Sequence, residues 1–364
     1  MNEKIGHKGY ACLLFFLSQE LFLGVGFARI LNLSMQDTWL SIILAFIIGF
    51  IFLYLFLHIM NYEKDLNLFE KNKKIFNNKL GNIINFILFI SVTVYFMFSL
   101  WNLSIYIQNK FLDQTPKFLI TILFLIPVMY IVSKDIKTIS KVSLICFILA
   151  IIEFLLSILG LLNFLDFDNF KPILNTEFNN IISSSFIFLS YFLTPIFLLL
   201  TVPKNKINNS KNLNKSFIIF YIIAFIEFLI IFSFIISIYG IDYAKIFYYP
   251  EFSLLKKINF FDFIEHVENL LSSQWLFSLF IGSVMNLYFI KFYLENLKIK
   301  KENIKKSIYY LIIFISLFIA PKMFSNTTIE YNFVKNYFIF IYTIPVLILM
   351  ITCFILIKKK QRSN

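Results

Sequence analysis

Four ionisable side chains lie deep inside otherwise apolar sequence: Glu20, Arg29, Glu153 and Glu227. A charge in such surroundings is expensive, so each must meet water or a partner, and each is a candidate functional group. Glu20 has the most informative neighbours. It precedes the cluster Gly24-Val25-Gly26 by one helical turn, with Ser18 and Gln19 beside it and Arg29 beyond. Glycine costs about 1 kcal/mol relative to alanine inside a helix, so a glycine pair marks a place where a helix can unwind. Unwound backbone offers N–H groups to a carboxylate and carbonyl oxygens to an ammonium or a cation. The alternative is a second helix packed closely against the two glycines. Glu20 is then either ligand-facing or held as a structural ion pair or a protonated carboxyl. Arg29 either binds a carboxylate or snorkels to the outer interface. Glu153 and Glu227 either pair or relay protons between neighbouring spans, or hold structural hydrogen bonds.

A second irregularity lies at Ser190-Tyr191-Phe192-Leu193-Thr194-Pro195. A proline inside a helix removes one backbone hydrogen bond and clashes with the preceding turn. A simple kink is the plain alternative, since Pro127 and Pro345 also sit within apolar stretches. Tyr95, Phe98 and Trp101 recur at helical spacing, which suits packing as well as binding. The candidate ligand-binding set is therefore Glu20, Gly24, Val25, Gly26, Tyr95, Ser190, Tyr191 and Thr194. There is no metal-ligand spacing, no Ser/His/Asp set and no glycine-rich phosphate loop, so neither an enzyme nor a cofactor is expected. The three cysteines, Cys12, Cys146 and Cys353, all fall in apolar sequence and read as buried thiols.

The elements that must position these residues follow from composition. Apolar residues make up 59% of the 364 positions and charged residues only 15%, and a soluble domain of this size cannot hide that much apolar surface. Ten apolar segments emerge, at roughly 9–33, 38–60, 82–108, 117–133, 138–164, 178–202, 215–240, 267–292, 307–321 and 333–357. Most reach the ~20 residues needed to cross a hydrocarbon layer. The first follows only two lysines and lacks a small-residue cleavage pattern, so it reads as a retained helix. The net charge of +12 does not imply nucleic acid, because the lysines lie in short loops between spans.

Those lysines set the direction. With the N-terminus inside, cytoplasmic segments carry 24 Lys and Arg residues and external loops carry 8, which places both termini in the cytoplasm. The longest external segment, about 241–270, contains Ile258 to Leu270, where apolar residues alternate with Asp262, Glu265 and Glu268. That pattern suits a short helix lying at the interface. The two irregular spans are the first and the sixth, at matching places in two sets of five, which is the sequence pointer to an inverted repeat. The expected architecture is an all-α polytopic membrane protein. About ten transmembrane helices form one integral membrane domain in a five-plus-five, LeuT-like permease fold. The first repeat covers about 1–165 and the second about 166–364.

The run Tyr249-Pro250-Glu251-Phe252-Ser253-Leu254-Leu255, then Ile258 to Glu268, then Trp275 and Phe280, resembles the spore germination receptor B-subunit family. That family shows a Tyr-Pro, an apolar-rich stretch, a Glu-x-x-Glu and a following Trp and Phe in this order. Its members look like permeases of the amino acid–polyamine–organocation type. This chain has His266 where members often carry Arg, and Phe192-Leu193-Thr194-Pro195 where they often carry a glycine and an acid. The resemblance implies a sensor of a small germinant, an amino acid by preference, in the spore inner membrane or cell membrane. Its partners would be a larger membrane A subunit and a lipoprotein C subunit, within membrane lipid. Glu265, Glu268 and Trp275 are then candidates for coupling or partner contact. The alternatives are an amino acid/cation secondary transporter of the same fold and, more remotely, a polytopic membrane enzyme, polymerase or flippase.

Overall fold

The computed structural model describes residues 4–22, 25–258, 267–297, 299, 301–323 and 327–363. Helices dominate: α1 (His7–Gln19), α2 (Val25–Ser34), α3 (Thr38–Asn61), α4 (Leu68–Phe76), α5 (Asn78–Lys110), α6 (Lys117–Ser133), α7 (Ile136–Leu161), α8 (Phe178–Phe192), α9 (Ser210–Ala244), α10 (Pro250–Leu255), α11 (Val267–Leu271), α12 (Ser273–Glu295), α13 (Glu302–Met323), α14 (Thr327–Phe333) and α15 (Ile344–Ser363). A 3-10 segment, Thr194–Thr201, continues α8, and a π-helical segment, Val334–Thr343, joins α14 to α15. The chain is an all-α polytopic membrane protein. Among the described residues, eight helical stretches are long and apolar enough to cross a membrane, and α6 is a shorter apolar helix. The segment expected at 9–33 does not add a ninth long stretch, because it is broken: α1 stops after 13 residues, and α2 runs on through Met35–Asp37 into α3.

Local sequence explains the ends. Asn77 accepts from the Lys79 and Leu80 amides and starts α5, and Asp135 accepts from the Thr138 amide and starts α7. In α4, Asn67 and Glu70 form a reciprocal capping box. Ile51, Leu123, Leu159 and Phe314 are each about three-fifths exposed on outward faces, where only lipid can cover them. By contrast, α1 is buried from Gly9 to Gln19 and packs against α7, α9, α12 and the 3-10 segment. The helix that carries Glu20 at its end is therefore the axis of the bundle.

Candidate functional site

The first break has a clear local cause. After Gln19 the α-ladder stops. The Phe22 amide donates back to the Gln19 carbonyl at 3.1 Å, and the Phe27 amide donates to the Phe22 carbonyl at 3.1 Å. A Cβ at Gly26 would stand 2.6 Å from the Leu21 carbonyl oxygen, so only glycine lets the chain re-enter a helix here. Gly24 and the side chain of Val25 lie outside the described residues. Phe22 secures the turn, its ring centroid lying 4.1 Å from Phe228 and 4.9 Å from Phe188.

At the end of α1, Glu20 is fully buried. Its Oε1 accepts from Ser99 Oγ at 2.6 Å and from Asn286 Nδ2 at 3.0 Å, and its Oε2 faces the same amide at 3.3 Å. A Cβ on Gly282 would come within 2.2 Å of Glu20 Cδ, so the carboxyl occupies the space a side chain at 282 would take. Tyr95 stands close to the carboxyl but outside hydrogen-bond geometry, and its ring stacks on Tyr342 at 4.3 Å. Among the described residues, the buried hydroxyls of Tyr95 and Tyr342 have no hydrogen-bond partner, and neither does Asn286 Oδ1. Among the described residues no cationic side chain pairs with Glu20.

Gln19 does parallel work on the next face. Its Nε2 donates to Glu227 Oε2 at 2.7 Å, and its Oε1 accepts from Ser278 Oγ at 2.8 Å. Gln274, Ser278, Gly282 and Asn286 therefore form one stripe at four-residue spacing on α12, and the last three face Gln19 or Glu20. Glu153 has its own partner, Ser273 Oγ at 2.7 Å. Of the two readings of Glu153 and Glu227, the structure shows separate hydrogen bonds and not a pair, because α9 presents Glu227 to α1 and α7 presents Glu153 to the start of α12.

Other expected residues fall elsewhere. Arg29 does not snorkel. It is buried, and its Nη1 lies 3.4 Å from the Tyr191 hydroxyl, tying α2 to α8. Ser190 donates to the Phe186 carbonyl at 2.8 Å and Thr194 donates to the Ser190 carbonyl, so both hydroxyls close their own helix. These two line a different space, an apolar cavity of about 170 Å³ between α3, α8 and the π-helical segment, bounded also by Ile48, Phe52, Leu193 and Thr343. Pro195 opens the 3-10 segment there, which runs for eight residues, longer than such helices usually last. Trp275 is packed inside the chain with Glu251 and Gln274. Glu268 is half-buried on α11, while Glu265 and His266 lie outside the described residues.

Sequence reasoning found Glu20 and Tyr95 but missed Ser99, Gly282, Asn286 and Tyr342. The four-residue period on α12 was a usable signal for two of them. Ser99 and Tyr342 carry none, being a single small polar residue and one of 19 tyrosines. Glu20 and Asn286 Oδ1 thus bring acceptor oxygens together, with no cationic side chain beside them among the described residues.

A family model described as "Spore germination protein" matches residues 11–328. No curated protein matches the chain.

Proposed function

This chain belongs to the spore germination protein family, and we propose that it is the nutrient-sensing subunit of a germination receptor. In this reading it binds a small germinant, an amino acid by preference, at the interrupted first and sixth spans. The observation that carries the reading is the polar cluster at Glu20: a buried carboxyl with no countercharge among the described residues, beside the turn that ends α1. A zwitterion suits such a place. Its ammonium meets Glu20 and Asn286 Oδ1, and its carboxylate meets amide groups freed at the break. The Arg29–Tyr191 contact and the packing of Phe22 on Phe188 join the two interrupted spans. A ligand seated between them shifts an open-to-closed balance only by the difference in its affinity for the two states.

The wider assignment is part of the same proposal. The first and sixth interruptions mark two inverted five-helix repeats, both termini face the cytoplasm, and the chain sits in the spore inner membrane. Partner A and C subunits read its state. The absence of a cation beside Glu20 among the described residues also favours a second reading, an amino acid/cation symporter of the same fold.

The test is binding of radiolabelled amino acids to the purified full chain, alone and after co-expression with A and C subunits. Saturable binding that Glu20→Gln weakens at least tenfold, with co-purification of the partners, is expected. Robust amino acid uptake into liposomes by the chain alone, with no partner retained, overturns the receptor reading in favour of the symporter.

A further inference from the structure

A second polar region lies at the opposite end of α1, where three distant segments meet. The N-terminal segment pairs with the connection after the 3-10 segment: the Ile5 amide donates to the Lys206 carbonyl at 3.0 Å, and the Asn208 amide donates to the Ile5 carbonyl at 2.7 Å. The α3–α4 connection joins them. The Asn205 amide donates to the Lys64 carbonyl at 3.1 Å, and Asn205 Nδ2 donates to Asp65 Oδ1 at 2.6 Å. Between the three segments is a cavity of about 530 Å³ whose charged lining is Lys4, Lys64, Lys204, Lys211 and Asp65.

The charges there are unbalanced. Four ammonium groups face one carboxylate, and among the described residues none of the four forms an ion pair. Lys204 is 6% exposed, and its Nζ reaches the side-chain oxygens of Asn61 and Asn214. Burial and the neighbouring Lys64 both push its pKa down, as expected where like charges crowd without an anion. The N-terminus of α9, a 35-residue helix, opens beside the same cavity: Asn209 holds the cap position at φ 48°, and its side chain makes no capping bond. Free first-turn amides carry partial positive charge and bind anions. Two turns along α9, Ile218 and Ile219 are exposed on a lipid-facing surface.

We propose that this basin binds a phosphate group and that its occupancy staples the N-terminal segment, the α3–α4 connection and the foot of the 3-10 segment together. A phosphate offers several acceptor oxygens at once, which several amines and helix amides from different directions can share. An anionic phospholipid headgroup and a soluble phosphate present the same chemistry. The exposed isoleucines on α9 give an acyl chain a surface to lie on.

The test measures thermal unfolding of the full-length protein in nanodiscs of phosphatidylcholine, with and without phosphatidylglycerol. A parallel arm in phosphatidylcholine alone adds inorganic phosphate against chloride at matched ionic strength. Native mass spectrometry counts retained phosphatidylglycerol. A saturable rise in melting temperature is expected, with the double variant Lys64→Gln/Lys211→Gln shifting its midpoint about tenfold or more. Lys64→Arg/Lys211→Arg, which keeps the charge, should restore it. Response to phosphatidylglycerol alone identifies a headgroup, and response to inorganic phosphate identifies a soluble ligand. Lys358→Gln/Lys359→Gln removes the same charge elsewhere and should change nothing. An equal loss in that control, or no rise in either arm, overturns the proposal.

Discussion

The two interrupted spans are broken by different residues, and they present different chemistry. The first is opened by glycine, and its break is surrounded by Glu20, Ser99, Asn286 and two buried tyrosines. The sixth is turned by Pro195 into a 3-10 segment, and the hydroxyls around the turn, Ser190 at the end of α8 and Thr194 at the start of the segment, are consumed by backbone carbonyls one turn back. Its neighbouring cavity is almost wholly apolar. Matching positions in the chain therefore need not mean matching roles. The first break has a buried carboxyl beside it, whereas the sixth has an apolar wall and a change of backbone pitch.

The sharpest way to break this comparison is to fill the space Glu20 uses. Gly282→Leu puts a side chain where the carboxyl now lies, and overpacking of a close-packed site costs ~1–3 kcal/mol, before any cost of displacing a buried carboxyl. We expect amino acid binding to fall by more than 100-fold, with lowered thermal stability. Gly282→Ala is the milder probe, and it should retain the fold while still weakening binding. Binding at wild-type strength in Gly282→Ala would show that Glu20 can move aside without consequence.

Changing the carboxyl itself comes next. Glu20→Gln keeps the shape but cannot carry a negative charge, so ammonium recognition should weaken about 10–100-fold, which corresponds to roughly 1.4–2.7 kcal/mol. Glu20→Ala also leaves the Ser99 hydroxyl and the Asn286 amide without their acceptor, at about 1–3 kcal/mol for each buried group. The alanine variant should therefore unfold at a lower temperature than the glutamine variant. Equal melting temperatures would mean that water replaces the lost contacts and that this region is wetter than its burial implies.

A third effect belongs to the end of α3. Lys71 is buried on α4, and its Nζ donates to the Ile59 and Met60 carbonyls at the end of α3, at 2.8 and 3.1 Å. Burial first, and then Lys204, push its pKa from 10.5 down to about 8. Between those two values the unfolded chain holds a proton that the folded chain has released, so stability rises with pH across that window. The wild type should gain up to about 1.4 kcal/mol per pH unit more there than Lys71→Met, whose curve lacks this one titration. Parallel curves for the two proteins would place the Lys71 amine in water.

The layout of the membrane helices was legible because hydropathy is a local property that survives tertiary context. The first break was legible for a similar reason: two glycines beside a carboxyl are unusual inside an apolar run. The partners of that carboxyl were not. Ser99 lies 79 residues from Glu20 and Asn286 lies 266 away, and only packing of α5 and α12 around α1 brings them together. Lys71 shows the same limit from the other side. In sequence it is one more loop lysine, while in the fold it is a buried cap on another helix.

The smallest expected effect discriminates between the two breaks. Thr194 and Glu20 both stand beside helix interruptions, and on sequence alone both belong to one ligand site. In the fold the Thr194 hydroxyl donates to the Ser190 carbonyl, and its side chain borders the apolar cavity of α3 and α8. Thr194→Val therefore removes one helix-internal hydrogen bond and adds a methyl group to an apolar wall. The net cost should stay near 1 kcal/mol or below. If charge is recognised at the first break alone, amino acid affinity should change less than about threefold, close to 0.6 kcal/mol. A tenfold loss with an unchanged melting temperature would move the ligand into the sixth-span cavity. Glu20 would then be a structural carboxyl, and the division of labour between the two breaks would be reversed.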